Sequence, residues 1–122
     1  MRNDIAPSTR DFFVRGMKGH SAVMNITYMG GDVYLIERTN NRPEMKVLIA
    51  DIYIAGEGDI AEIFSEYNDI DCIVLVGFYN RYSCAAKQYA RELSIGLYDN
   101  REFFGAVNCT GTALLNYKRK EE

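Results

Sequence analysis

Residues 71–99 read DCIVLVGFYNRYSCAAKQYARELSIGLYD, and this stretch decides the fold. An unbroken apolar run over residues 72–78 precedes a polar turn, an amphipathic segment over residues 83–93 and a second apolar run over residues 95–98. Because both runs are apolar on both faces, they predict two interior strands joined by a helix. Such a βαβ unit is parallel and right-handed in nearly all known proteins. Within the helix, Lys87 is predicted to face water, and Asp99 with Glu102 has the spacing of an N-cap for a further helix. We therefore expect an α/β fold built around this unit.

The composition is that of one globular domain. The chain has 122 residues, of which 48% are hydrophobic and 25% are charged, which suffices for a single core. We expect one domain over residues 1–122, with a globular core over residues 7–111 and frayed ends at residues 1–6 and 117–122. The apolar runs are too short to cross a bilayer and the N-terminus has no hydrophobic signal region, so we expect a cytoplasmic protein with no membrane partner.

The net charge and the cysteine spacing argue against several kinds of binding site. The formal net charge of −3 argues against avid, non-specific DNA binding, which needs a concentrated basic surface, but is compatible with a local basic patch. Cys72, Cys84 and Cys109 lack C-x-x-C spacing and predict neither a disulfide framework nor a zinc site. We expect all three to be buried.

A short helix is predicted near the N-terminus. Ser8 and Asp11 have the spacing of a capping box just after Pro7. Gly16 and Gly19 are typical of a helix end, so the helix should stop there.

The middle of the chain predicts an antiparallel meander. Residues 23–28 alternate between apolar and polar side chains, and a Gly-Gly turn connects them to a return strand over residues 32–39. Residues 45–55 are mostly apolar on both faces and predict a central strand, followed by a helix over residues 59–67. The expected fold class is α/β, with a mixed sheet in which the meander precedes the right-handed parallel βαβ unit.

Asp51 is the anomaly in the predicted central strand. A buried carboxylate is costly unless it is hydrogen-bonded, paired, protonated or bound to a metal. Pairing with Arg38 and hydrogen bonding to backbone N–H groups are its structural alternatives to a role in function.

The sequence IVLVGFYNRYSCAAKQYARELSIGLYDNREFFGAV, residues 73–107, resembles the corresponding segment of Mrr-type restriction enzymes and archaeal Holliday-junction resolvases. These proteins belong to the restriction-endonuclease-like, or PD-(D/E)xK, superfamily, and residues 22–107 can be laid over its pattern. The resemblance implies a restriction-endonuclease-like fold and a link to nuclease chemistry and DNA binding.

The resemblance also implies a metal site. In that family a divalent cation is held by an aspartate early in the second strand and an acidic residue of the third strand, and a lysine two residues further on assists the nucleophile. Asp32 and Asp51 occupy the two acidic positions, which makes them the candidate catalytic residues and Mg²⁺ ligands. Tyr53 stands where the lysine should be, and the predicted helix over residues 59–67 supplies no basic residue. This implies a degenerate active site.

Other readings of these acidic positions remain open. Asp32 follows a Gly-Gly turn, where aspartate is common for turn chemistry alone. Glu37 could be the acidic residue of a shifted motif in which Thr39 replaces lysine.

A second candidate site is the turn formed by Tyr79, Asn80, Arg81 and Tyr82. It follows an interior strand at its carboxyl end, where open α/β sheets bind ligands, and its side chains could stack on bases or hold a phosphate. The structural alternative is two tyrosines that cover the sheet edge and an exposed arginine.

Three functions fit these patterns. The first in rank is a restriction-endonuclease-like domain with impaired catalysis that binds nucleic acid or a protein partner, including a second copy of itself. The alternatives are an active Mg²⁺-dependent nuclease with a non-standard site, and a small α/β domain that binds a ligand near the Tyr79 turn.

Overall fold

The computed structural model describes residues 2–118. Its helices are α1 (Pro7–Lys18), α2 (Glu57–Glu66), α3 (Cys84–Glu92), α4 (Asn100–Ala106) and α5 (Gly111–Leu115). Its strands are β1 (Val23–Gly30), β2 (Val33–Arg38), β3 (Met45–Ala50), β4 (Ile54–Ala55), β5 (Cys72–Leu75), β6 (Arg81–Tyr82) and β7 (Gly96–Asp99). Residue 1 and residues 119–122, which include most of the C-terminal end predicted to fray, lie outside this description.

The main sheet has five strands in the order β1-β2-β3-β5-β7. β1, β2 and β3 pair antiparallel, whereas β3, β5 and β7 pair parallel. This confirms an α/β fold in which antiparallel N-terminal strands precede parallel strands connected by helices.

Helices cover both faces of this sheet. The buried residues on one face pack with Phe13 of α1, Phe103 of α4 and Leu114 of α5. Those on the other face pack with Ile60 of α2 and Ala86 of α3. The unbroken apolar runs of β3 and β5 follow from burial on both sides. In the described part of the chain, no helix is long and apolar enough to cross a membrane.

The strand predicted over residues 45–55 is interrupted. β3 ends at Ala50, and Ile54 begins β4, which pairs with β6 in a separate two-stranded sheet. The backbone oxygen of Asp51 accepts a 2.8 Å bond from the N–H of Asn3, and the N–H of Ile52 donates to the Asn80 side chain. These long-range bonds replace the sheet ladder, so Asp51 and Tyr53 do not share one face of a continuous strand.

The predicted end of α1 is confirmed, because Gly19 is the C-cap, but the predicted capping box is wrong. Ala6 is the N-cap, no side chain in the described part of the chain caps the helix, and the helix continues through Gly16 to Lys18. A Cβ atom at Gly16 would lie 2.7 Å from the Phe104 ring. This position is therefore glycine because α4 packs closely there, and it does not stop the helix.

Three predictions about later elements have different outcomes. The capping box of α4 is confirmed, because Asp99 Oδ1 accepts from the Glu102 N–H at 2.8 Å. Cys84 was expected to be buried but is exposed, whereas Cys72 is buried and Cys109 partly so. Lys87, which the helical pattern places on the outer face of α3, is buried.

Candidate functional site

The carboxyl ends of β3, β5 and β7 lie at one edge of the sheet, because these strands are parallel. We call it the carboxyl edge. Open α/β sheets bind ligands at this edge, outside the ends of their strands. Both sets of candidate residues lie close to it, and we take them in turn.

Asp32 is the turn residue just before β2, with a φ of 67°. Its carboxylate forms an ion pair with Arg10 of α1, and the same guanidinium donates to the Tyr34 hydroxyl at 3.1 Å. The hydrogen bond that Arg10 donates to Asp32 is the main cause that raises the pKa of Arg10 above its usual range. Opposite Asp32 on β3 lies Ile49, which is fully buried.

Asp51 follows the last residue of β3. Its Oδ1 accepts a 3.0 Å hydrogen bond from the Asn80 side-chain amide. The alternative of an ion pair with Arg38 is not what the structure contains, since that guanidinium donates to the backbone oxygens of Pro43, Val107 and Cys109.

These contacts do not favour a metal site. A cation at Asp32 would have to displace the Arg10 guanidinium, and one at Asp51 would compete with the Asn80 amide. Within residues 2–118, no group of three or more His, Cys, Asp or Glu side chains is placed to hold a metal ion. The assignment of Asp32 and Asp51 as Mg²⁺ ligands stays a prediction.

Asn80 fixes the shape of the second candidate site. Its Oδ1 accepts the N–H groups of Ile52 and Gly77, each at 3.0 Å, while its amide nitrogen donates to Asp51. A Cβ atom at Gly77 would lie 2.4 Å from the Asn80 side chain. Asn80 therefore ties the end of β3 to the turn after β5, and Gly77 allows the close approach.

Tyr82 is half-buried, and neighbouring side chains hold its hydroxyl. Its hydroxyl lies 2.8 Å from both carboxylate oxygens of Glu102 and 3.3 Å from Lys87 Nζ. Burial raises the pKa of Tyr82, and the hydrogen bond to Glu102 raises it further. Burial also lowers the pKa of Lys87.

The exposed side chains of this region are aromatic and basic. Phe78 and Tyr79 are 91% and 75% exposed, with their rings 4.9 Å apart in a T-shaped contact. The Arg81 guanidinium lies 6.0 Å from the ring of Tyr53, which is 59% exposed. We call Tyr53, Phe78, Tyr79 and Arg81 the aromatic rim.

Sequence reasoning missed two members of the rim. Phe78 was counted as the end of a buried strand, although the strand stops at Leu75. Tyr53 was assigned to the continuous strand that is in fact interrupted. Gly77 was the available signal, because glycine within an apolar run often marks the end of regular strand structure.

A cleft of about 670 Å³ adjoins the rim. Its lining residues come from the start of α1, the turn after β5 and the junction of β7 with α4: Ser8, Thr9, Phe12, Val76, Gly77, Phe78, Asn80, Asp99, Asn100 and Arg101. The rim and the cleft together form one continuous surface at the carboxyl edge.

The fold defines this chain as an α/β protein with a five-stranded mixed sheet. Comparison with protein-family models, curated proteins and solved structures finds no match to the chain. The restriction-endonuclease-like assignment therefore remains a proposal.

Proposed function

We propose that this protein is a restriction-endonuclease-like domain with impaired cleavage that binds single-stranded nucleic acid through the aromatic rim. The strand order, with a meander followed by parallel strands, supports the scaffold assignment, as do helices on both faces. The right-handed crossover is part of this proposal. Impaired cleavage is supported by Tyr53 at the lysine position and by the Arg10 ion pair of Asp32.

The observation that carries the binding proposal is the exposure of Phe78 and Tyr79 beside Arg81. Water solvates exposed aromatic rings poorly, and adjacent exposed rings are what a single strand needs for base stacking. A nearby guanidinium can hold the phosphate or stack on a base.

The overall charge favours single-stranded over duplex nucleic acid. Duplex binding without sequence preference relies on many lysines and arginines on one face, which a chain of net charge −3 supplies poorly. Stacking on aromatic side chains is much less dependent on charge, and contributes about 1–3 kcal/mol per base.

Fluorescence anisotropy with a labelled single-stranded oligonucleotide of about 12 nucleotides tests the proposal. Phe78→Ala and Tyr79→Ala should each weaken binding by roughly 5- to 150-fold, the range that follows from the stacking energy. Met24→Ala is the matched control, because Met24 is 65% exposed at the start of β1, on the opposite edge of the sheet. It should change the Kd by less than about twofold.

The role of Arg81 is tested separately by salt dependence. Arg81→Gln should lower the slope of log K against log salt by about 0.7, the value for one phosphate contact in a single strand. Arg15→Gln near the exposed end of α1 serves as the charge-matched control. Binding that survives Phe78→Ala and Tyr79→Ala, or no binding by the unmodified protein at low salt, would overturn the proposal.

A further inference from the structure

We infer that the cleft beside the aromatic rim binds one nucleotide unit, with the base between aromatic side chains and the phosphate at Arg101. This inference rests on the proposed function and adds a defined site for a single residue of the strand. Three properties of the cleft support it: its size and place, its aromatic walls, and its polar groups.

The size and position of the cleft suit a small molecule. Its volume of about 670 Å³ lies within the range of roughly 300–1,000 Å³ typical of ligand pockets. It opens at the carboxyl ends of β5 and β7, the place where parallel strands leave a crevice.

Aromatic side chains supply the apolar walls. Phe12 comes from the second turn of α1 and Phe78 from the turn after β5, and they are 59% and 91% exposed. Neither ring belongs to the packed core, although each lies beside one of its elements. Exposed rings that come from two different elements and line one crevice suit a planar ligand such as a nucleobase.

The polar groups indicate what the planar ligand carries. Asn100 Oδ1 is buried and has no hydrogen-bond partner in the described part of the chain. A buried acceptor without a partner is unfavourable, and rotation of this amide about its soft terminal torsion would offer the acceptor to a donor in the cleft. Base N–H and amino groups are such donors.

Arg101 supplies the positive charge. It is exposed and, among residues 2–118, has no carboxylate partner. The hydroxyl groups of Ser8 and Thr9 line the same cleft and can donate to an anion. Among the described residues that line the cleft, Asp99 has the single carboxylate, and it is occupied as the N-cap of α4. The part of the cleft near Arg101 therefore suits an anionic group better than a cation.

The chemistry shared by these groups is a nucleoside monophosphate, either free or as one residue of a strand. Binding is measured by isothermal titration with AMP, CMP, GMP and UMP, and by amide chemical shifts on the folded full-length chain. Adenosine and ribose 5-phosphate serve as half-ligands, because each lacks one of the two recognised groups.

We expect at least one mononucleotide to bind at least about tenfold more tightly than either half-ligand. Arg101→Gln should weaken the nucleotide by about tenfold and leave adenosine unchanged, whereas Phe12→Ala should weaken both. Arg15→Gln is the control and should change neither. Shifts should concentrate at Gly77, Asn100 and Arg101.

Competition with the oligonucleotide shows whether the cleft binds a free nucleotide or one residue of a strand. Displacement of the mononucleotide by the strand means that the cleft holds a residue of the strand, whereas simultaneous binding means that it takes a free nucleotide. Strand binding that is unaffected by Phe12→Ala and Arg101→Gln, with no mononucleotide bound, overturns the cleft site and leaves the rim intact. Mononucleotide binding without strand binding overturns the proposed function and retains the site.

Discussion

Two clusters of side chains meet at one short strand of the chain, and they differ in their exposure to solvent. The aromatic rim extends into solvent around Phe78. The second cluster, which we call the buried network, consists of Lys87, Glu102 and the half-buried Tyr82, with Lys87 8% and Glu102 5% exposed. Arg81 and Tyr82 form one short strand, yet the first side chain belongs to the rim and the second to the buried network.

The difference lies in how many partners each group has. Lys87 Nζ donates to the backbone oxygens of Leu97 at 2.8 Å and Tyr117 at 2.9 Å, and its third donor reaches Tyr82 at 3.3 Å. All the donors of this ammonium are used, so the network serves the fold. The exposed rings of the rim, and the Asn100 oxygen that has no partner within residues 2–118, retain capacity for a ligand.

The largest predicted effect breaks the buried network. Lys87→Ala leaves Glu102 buried without its cation and two backbone oxygens without a donor, which should lower the free energy of unfolding by about 3 kcal/mol. Urea denaturation measures it, and Lys18→Ala at the exposed end of α1 is the control. The double variant Lys87→Met, Glu102→Gln should recover part of the loss, because it removes both charges.

A recovery of zero in that double variant would mean that the hydrogen bonds from Lys87 to the backbone oxygens of Leu97 and Tyr117, and not the charges or the packing of the side-chain stem, dominate the network. At a temperature where Lys87→Ala is folded, strand binding should be retained. Loss of binding would show that the rim depends on the buried network. The view that one cluster serves the fold and the other serves binding would then be wrong.

The next largest effect removes the link between the end of β3 and the turn after β5. Asn80→Ala leaves the N–H groups of Ile52 and Gly77 without their acceptor, at a cost of about 2 kcal/mol. We expect both stability and strand binding to fall, whereas Phe78→Ala should reduce binding alone. Chemical denaturation and anisotropy on the same samples check this. An Asn80→Ala protein that binds normally would show that the rim does not need Asn80 to adopt its binding conformation.

The fold was predictable from the sequence where burial alone decides the pattern. The parallel strands β5 and β7 and the meander are encoded by runs that are apolar on both faces or alternate. The break after Ala50 was not predictable, since the apolar pattern resumes over residues 52–55 after the single carboxylate of Asp51. Its cause is bonding from Asn3 and Asn80, which are distant in sequence.

The candidate site was only partly predictable for the same reason. The turn after β5 was recognised from its position, but its four side chains divide between solvent and interior in a way that no local pattern specifies. Lys87 occupies an outward position by helical periodicity and is buried because Leu97, Tyr117 and Tyr82 provide partners. Asn100 and Arg101 follow a predicted helix cap and carry no signal of a cleft.

Alkaline pH should lower the free energy of unfolding by an intermediate amount, because it ionises tyrosines in the interior. Burial raises the pKa of Tyr98, whose hydroxyl donates to the Leu114 backbone oxygen. A raised folded-state pKa gives stability that is present below the unfolded value of about 10 and is lost as the pH rises above it, by about 1.4 kcal/mol per pH unit. Tyr82, whose pKa is also raised, adds to this loss.

Urea titrations between about pH 9 and pH 11 measure this loss. Tyr98→Phe should be less stable than the unmodified protein at neutral pH, because it lacks the bond to Leu114, but should lose less stability as the pH rises. Tyr79→Phe is the matched control, since it removes an exposed hydroxyl that lies outside the core, and its loss of stability with pH should equal that of the unmodified protein. Equal slopes for Tyr98→Phe and the unmodified protein would contradict the prediction.

The smallest predicted effect concerns Asp32. Asparagine tolerates its left-handed backbone, so Asp32→Asn removes the ion pair with Arg10 without strain. The side chains of this pair are 29% and 40% exposed, and solvent screening limits the loss to about 0.5 kcal/mol. Asp11→Asn, an exposed carboxylate on α1, is the control for the change of charge.

The same variant tests whether the carboxyl edge cleaves nucleic acid. We expect no Mg²⁺-dependent nicking of plasmid or single-stranded DNA by the unmodified protein, since Arg10 and Asn80 occupy the carboxylates of Asp32 and Asp51. Nicking that Asp32→Asn and Asp51→Asn both abolish would require Mg²⁺ to displace these partners. The functional groups of this protein would then be the two carboxylates and not the rim. The contrast between a buried network whose polar groups are bonded and a rim that binds the ligand would no longer hold.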